Sequence, residues 1–99
     1  MAAYFIVDIV AVHDRERYMR YIQGVAGIVQ RHGGRYLARG GETVPFAGDW
    51  TPERMIVIEF DSIDAARACF ENDEYRAIAP LREESTTCRA LFLEGMPCK

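Results

Sequence analysis

The residues best suited to chemistry are the charged ones that interrupt apolar, strand-like runs. Asp8 breaks the run Tyr4 to Val12, Glu59 breaks Arg54 to Phe60, and Arg39 ends the short run Arg35 to Arg39. Strand alternation puts Asp8 and Glu59 on one sheet face, near the ends of their strands. Arg39 is expected to point to the same face, and Glu94 to join from the last strand. Two carboxylates held in an apolar layer have displaced pKa values, which is what acid–base catalysis requires. The same set also reads as ion pairs that fix strand register and subunit geometry. Spacing leaves both readings open, with Asp8 and Glu59 as the catalytic candidates.

A second group of residues is suited to binding. Trp50, the only tryptophan, stands between Asp49 and Pro52 in a segment rich in turn-forming residues. A tryptophan so placed is either a lid over a pocket or an anchor on a partner subunit. Tyr75 and Arg82 are two helical turns apart and share a face, where they line a helix–sheet cleft or simply pack and snorkel. Arg39, Trp50, Tyr75 and Arg82 are therefore the ligand-binding candidates. Gly40-Gly41 lacks the third glycine and the following helix of a phosphate-binding loop. His32 ends a helix, where a cation meets the dipole, and His13 lies in a strand-to-helix loop. Neither has a cysteine or carboxylate at ligand spacing, so no metal and no cofactor is expected. Cys69, Cys88 and Cys98 form no C-x-x-C pair, which points away from disulfides and zinc and toward a reducing compartment. Cys98, beside the C-terminus, is read as an exposed thiol, and none of the three is assigned a catalytic role. Ser85, Thr86 and Thr87 lack the context of a nucleophile elbow and read as a loop.

Composition narrows the classes further. With 99 residues the chain is expected to form one domain spanning its whole length. At this size a partner subunit is a common supplement to a small core. A net charge of −3 cannot supply the basic patch that nucleic acid needs, so no nucleic-acid partner is expected. The apolar N-terminal run is interrupted by Asp8, has no basic flank and is too short to span a bilayer. The expectation is a cytoplasmic protein without a membrane partner.

The elements that must position these residues follow from periodicity. Tyr4 to Val12 is a strand, dense in β-branched and aromatic residues. Asp14 caps a helix in which Tyr18, Tyr21, Ile22, Val25, Ile28 and Val29 recur at three- and four-residue spacing, stopped by Gly33-Gly34. Arg35 to Arg39 is the second strand, and Glu42 to Glu53 a loop or loose hairpin arm. Arg54 to Phe60 is the third strand. Ser62 caps a second helix carrying Ile63, Ala66, Cys69 and Phe70, and Asn72-Asp73 breaks or kinks it. Glu74 to Arg82 forms another helical piece, and Arg89 to Glu94 the last strand. The order β-α-β-β-α-β with right-handed crossovers gives a ferredoxin-like α+β domain, a four-stranded antiparallel sheet with its helices on one face. The strands are apolar on both faces, so the uncovered face is expected to pair with a second copy. The expected partner is therefore a homodimer through the sheet face.

The motifs, taken in order, resemble a known family. They are Tyr4-Phe5-Ile6-Val7-Asp8, Tyr18 and Tyr21, Gly33 through Gly41, Gly48-Asp49-Trp50 with Pro52 and Arg54, Val57-Ile58-Glu59-Phe60, Ala65-Ala66, Tyr75, Leu81-Arg82, and Leu93-Glu94-Gly95. Together they resemble the DUF1330 family of small bacterial proteins across nearly the whole chain. Arg15 departs from the proline that the family often carries after the cap, which touches the helix start and no chemistry. The resemblance implies the dimeric α+β barrel superfamily, in which two ferredoxin-like sheets pack face to face. That superfamily includes cofactor-free monooxygenases, haem-degrading enzymes, muconolactone isomerases and regulatory ligand-binding domains. The chain lacks a helix histidine beside the cleft, which counts against haem.

Three functional readings follow. One is a small-molecule enzyme or binding protein with a pocket between helices and sheet, in which Arg39 and Arg82 hold an anionic or carbonyl-bearing ligand and Trp50 covers it. Asp8 or Glu59 would then serve a cofactor-independent oxidation or isomerisation. The second is a non-catalytic dimer in which the same charges only fasten the barrel. The third, an effector domain of a transcription regulator, is weak because no DNA-binding segment is attached.

Overall fold

The computed structural model describes residues 1–97, so Cys98 lies outside the described residues. The elements run β1 (Ala3–Val12), α1 (Arg15–Arg31), β2 (Arg35–Arg39), β3 (Arg54–Phe60), α2 (Ile63–Phe70), α3 (Asp73–Ser85) and β4 (Thr86–Glu94). The strands form one antiparallel sheet in the order β2-β3-β1-β4. This is the ferredoxin-like arrangement that the element order predicts.

Local chemistry sets the boundaries. The Asp14 side chain accepts from the Arg17 backbone N–H and caps α1, while Ser62 and Asn72 do the same for α2 and α3. At the far end of α1, Gly33 takes a φ of 77°, and Gly34 N–H bonds back to the Val29 carbonyl. That six-residue return loop is the glycine-dependent C-terminal stop. Asn72 explains the break between α2 and α3: its amide also donates to the Ala68 and Cys69 carbonyls, so one side chain ends one helix and starts the next.

One junction differs from the sequence expectation. Ser85, Thr86 and Thr87 are not a loop, because α3 runs to Ser85 and β4 begins at Thr86. The hydroxyls of Ser85 and Thr86 donate to the carbonyls of Leu81 and Arg82 in the last helical turn, and His13 N–H bonds to the Ser85 carbonyl. The helix end is thereby satisfied without connecting residues. A bulge in β1 between Ile9 and Ala11 then lets Thr87 and Thr86 pair with Ala11 and Val12.

The sheet has two unlike faces. Phe5, Val7 and Ile9 of β1 share the inner face with Ile56, Ile58 and Phe60 of β3, beneath the helices. Against them α1 buries Tyr18, Tyr21, Val25, Ile28 and Val29, α2 buries Ala66 and Cys69, and α3 buries Tyr75. Ile28 and Val29 are almost without exposure, and truncating a side chain so enclosed costs about 2–5 kcal/mol. The outer face carries Tyr4, Ile6 and Asp8 opposite Met55, Val57 and Glu59. No helix covers it, and Leu91 and Leu93 of β4 are about half exposed there.

Candidate functional site

A cavity of about 280 Å³ opens between the inner sheet face and helices α1 and α3. Its body is aromatic and aliphatic. Phe5 and Phe70 stack with centroids 4.1 Å apart, and Phe70 meets Tyr75 edge-on at 5.0 Å. Tyr21, Tyr36 and Ile58 complete the apolar walls. Such a lining suits a small organic molecule, as do the few polar groups that converge on it.

Three guanidinium groups supply most of that polarity. Arg39 and Arg54 come from strands β2 and β3, and Arg82 comes from α3. Arg39 lies over the Tyr36 ring at 4.6 Å, a cation–π contact. Neither Arg39 nor Arg54 forms an ion pair among the described residues. Arg54 crosses directly over Gly40, where a side chain would collide with the guanidinium. Among the described residues its Nε is buried without a hydrogen bond of ordinary geometry, and so is the hydroxyl of Tyr18. Arg82 donates through Nε to the Tyr75 hydroxyl at 3.2 Å and through Nη1 to Cys88 Sγ at 3.2 Å. Among the described residues no carboxylate lines the cavity.

Burial sets the protonation of the tyrosines. It raises the hydroxyls of Tyr18, Tyr21 and Tyr36 above their ordinary value. The Arg54 charge opposes this at Tyr18, and the Arg39 charge opposes it at Tyr36. For Arg82 burial acts downward, but its hydrogen bonds to Tyr75 and Cys88 outweigh it and hold the guanidinium charged. At neutral pH the cavity therefore presents cations and neutral hydroxyl donors, a combination that recognises an anion or a carbonyl oxygen.

The candidate residues divide between the two faces. Arg39, Tyr75 and Arg82 meet around the cavity. Asp8, Glu59 and Trp50 do not. Asp8 is 5% exposed on the outer face, where its Oδ2 accepts from Trp50 Nε1 and Arg89 Nε, both at 2.9 Å. Glu59 shares that face and pairs with Arg35. The two carboxylates are not neighbours, because antiparallel pairing sets Asp8 opposite Met55 and Glu59 opposite Tyr4. Four residues of strand separate them, roughly 13 Å. Arg39 reaches the inner face because a bulge in the β2–β3 pairing between Tyr36 and Ala38 reverses the alternation, leaving Arg39 opposite Ile56. Glu94 also stays apart, paired with Ala3 on the inner register. Trp50 lies against the outer face beside Met55, Pro45 and Phe46, so it does not lid the cavity.

Sequence reasoning missed Tyr18, Arg54 and Cys88. Arg54 was legible as the first residue of a strand in phase with Ile56 and Ile58. Tyr18 carried the apolar periodicity of α1, which hid its hydroxyl. Cys88 pairs with Ile9 and so faces the cavity, but it falls between the three residues read as a loop and the strand read from Arg89.

A model of the family described as a domain of unknown function (DUF1330) matches residues 2–96. The chain belongs to the DUF1330 family. No curated protein matches its sequence. Among solved structures it is similar to a protein of unknown function from Rhodopseudomonas palustris, with a TM-score of 0.78 at 16% identity, covering 98% of this chain and 84% of that one. It is also similar to SnoaB, a cofactor-independent oxygenase from Streptomyces nogalater, with a TM-score of 0.69 at 12% identity, covering 98% and 95% of the two chains. A dimeric ferredoxin-like protein of unknown function from Thermobifida fusca matches with a TM-score of 0.60 at 14% identity over 94% and 90%. At these identities the likeness concerns the fold. Among the described residues no helix is long and apolar enough to cross a membrane, and no group of three or more metal-ligating side chains comes together.

Proposed function

We propose that this DUF1330 domain binds a small organic molecule with an apolar body and an anionic or carbonyl head in the cavity between its helices and sheet. The observation that carries this reading is the unsatisfied polar end of an otherwise apolar cavity. Among the described residues Arg39 and Arg54 have no counter-ion, and Arg54 Nε and the Tyr18 hydroxyl are both buried without a hydrogen bond of ordinary geometry. Leaving such a group unpaired costs about 1–3 kcal/mol, so a ligand oxygen placed there recovers that cost. The aromatic walls take the body of the ligand, and Arg82, fixed by Tyr75, also lines the cavity.

Binding is favoured over proton abstraction, because Asp8 and Glu59 stand on the far side of the sheet from the cavity. A cofactor-independent oxidation or isomerisation is the second reading. It draws on the fold likeness to SnoaB and on the cationic rim, which would stabilise an enolate. Fold likeness alone does not transmit chemistry. We further propose that two copies associate through the outer sheet faces, as the apolar, uncovered residues there support.

The test is calorimetric titration and thermal shift with benzoate, phenylacetate and cinnamate. Wild type is expected to bind at least one of them, and Arg54→Met to weaken that binding by roughly tenfold or more, the loss of one charge-assisted hydrogen bond. No shift for any of the three acids or their methyl ketone counterparts sinks the reading. Oxygen uptake with the bound compound separates oxidation from binding alone.

A further inference from the structure

We propose that Cys88 is a nucleophile of the cavity and that it captures α,β-unsaturated carbonyl compounds as covalent thioethers. The proposal rests on the reading of the cavity as a site for an apolar carbonyl compound, and it adds a reaction to it.

Cys88 stands opposite Ile9 in the β1–β4 pairing, so its side chain shares the inner face with Phe5, Val7 and Ile9 and borders the cavity. It is only partly buried. The Arg82 guanidinium is fixed against its sulfur at 3.2 Å by a second hydrogen bond to Tyr75. A cation held at that distance stabilises the negative charge that sulfur carries as it attacks. The contrast within the chain is sharp. Cys69 has no exposure, and burial pushes its thiol up to about 12, so it is inert at neutral pH.

A second observation points to the carbonyl. The Tyr18 hydroxyl belongs to a residue only 5% exposed, borders the same cavity and, among the described residues, makes no hydrogen bond of ordinary geometry. It shares the lining of the cavity with both Cys88 and Arg54. A thiol flanked by a cation on one side and by donors for an oxygen on the other is the arrangement that conjugate addition needs. The sulfur lone pair forms a bond to the β-carbon of the ligand. The carbon–carbon π pair moves toward the carbonyl, and the enolate oxygen accepts from Tyr18 and Arg54. The proton lost from the thiol ends on the α-carbon. One S–C bond and one C–H bond form, one S–H bond and one π bond break, and nothing is oxidised or reduced. Saturated carbonyl compounds would bind without reacting.

The experiment is intact-protein mass spectrometry with benzylideneacetone at neutral pH, on a Cys98→Ser background so that the C-terminal thiol does not contribute. The expected result is a single adduct that peptide mapping assigns to Cys88, formed roughly tenfold or more faster than on N-acetylcysteine, as positioning beside a fixed cation provides. Cys88→Ser should abolish it. Tyr18→Phe should slow it several-fold while leaving the reaction of the urea-unfolded chain unchanged. A rate no higher than that of N-acetylcysteine, an adduct on Cys69, or indifference to Tyr18→Phe overturns the proposal. Because mapping uses the native cysteine, the result does not depend on Cys88→Ser folding. Thermal shift with benzylacetone, the saturated analogue, separates the two levels. A shift without an adduct leaves the binding reading standing and removes the nucleophile, and absence of both removes both.

Discussion

The hydroxyls of Tyr21 and Tyr75 meet at 2.9 Å, tying α1 to α3 at the wall of the cavity. Tyr75 also receives the Nε–H of Arg82 at 3.2 Å, so its oxygen serves two partners and that of Tyr21 only one. The two phenylalanine variants should therefore differ. Tyr75→Phe strands both Tyr21 and a partly buried guanidinium donor, and should cost about 2–3 kcal/mol, the range for a hydrogen bond to a charged group. Tyr21→Phe leaves the Arg82–Tyr75 bond in place and should cost about 1 kcal/mol. Urea unfolding measures both, and the reverse order would show that the Arg82 contact carries no stability.

The buried hydroxyls and the Cys69 thiol make stability depend on alkaline pH. Tyr18, Tyr21 and Tyr36 are raised above the ordinary tyrosine value and Cys69 is pushed up to about 12, in every case chiefly by burial. The folded chain thus keeps protons that the unfolded chain releases. The contribution of these four groups should be level below about pH 8.5, the ordinary thiol range, and should fall as pH rises through about 10, the ordinary tyrosine range. Urea midpoints at rising pH follow this fall, and Tyr21→Phe should make it shallower. Phenolate absorbance gives an independent check: Tyr18, Tyr21 and Tyr36 should ionise later in the folded chain than in urea.

The fold was largely legible in the sequence, because periodicity, caps and glycines all pointed the same way. Asp14 and Ser62 cap helices where they were expected, and Asn72, expected only to break or kink a helix, also caps the next one. The site was legible only in part. Asp8 and Glu59 were rightly given one face, but alternation says nothing about distance along antiparallel strands, and their separation follows from register alone. Arg39 was assigned to the wrong face because a single bulge inverts everything beyond it, and bulges leave little trace in a five-residue strand. Trp50 and Asp8 each attracted attention separately. Their hydrogen bond joins a loop to a strand 42 residues away in sequence, a pairing that no local pattern encodes.

Gly40 positions Arg54, and that dependence can be tested by substitution. Its φ of 74° is a left-handed conformation that costs an L-residue about 1 kcal/mol or more. A methyl group there would also collide with the Arg54 guanidinium. Gly40→Ala should lower stability by about 1–2 kcal/mol and displace Arg54 from the cavity rim. Thermal melting reads the first effect, and weakened binding of an aromatic carboxylate reads the second. A variant that is destabilised yet binds as wild type would mean that Arg54 does not touch the ligand.

The proposed association through the outer face makes a prediction that distinguishes an interface from an ordinary surface. Leu91 pairs with Ile6 across β1 and β4 and is 55% exposed in the single chain. In a monomer a charge at such a position changes stability by less than about 0.5 kcal/mol. In a face-to-face dimer the same charge is buried without a partner, which costs several kcal/mol in each copy. Leu91→Glu should therefore convert a dimer to a monomer in size-exclusion chromatography with light scattering, while far-ultraviolet circular dichroism stays unchanged. Trp50 reports the same event, since it is the only tryptophan and lies on that face with half its surface exposed. Its emission should shift to longer wavelength when the partner leaves. Wild type running as a monomer at micromolar concentration would remove the interface, and the apolar outer face would then need another occupant.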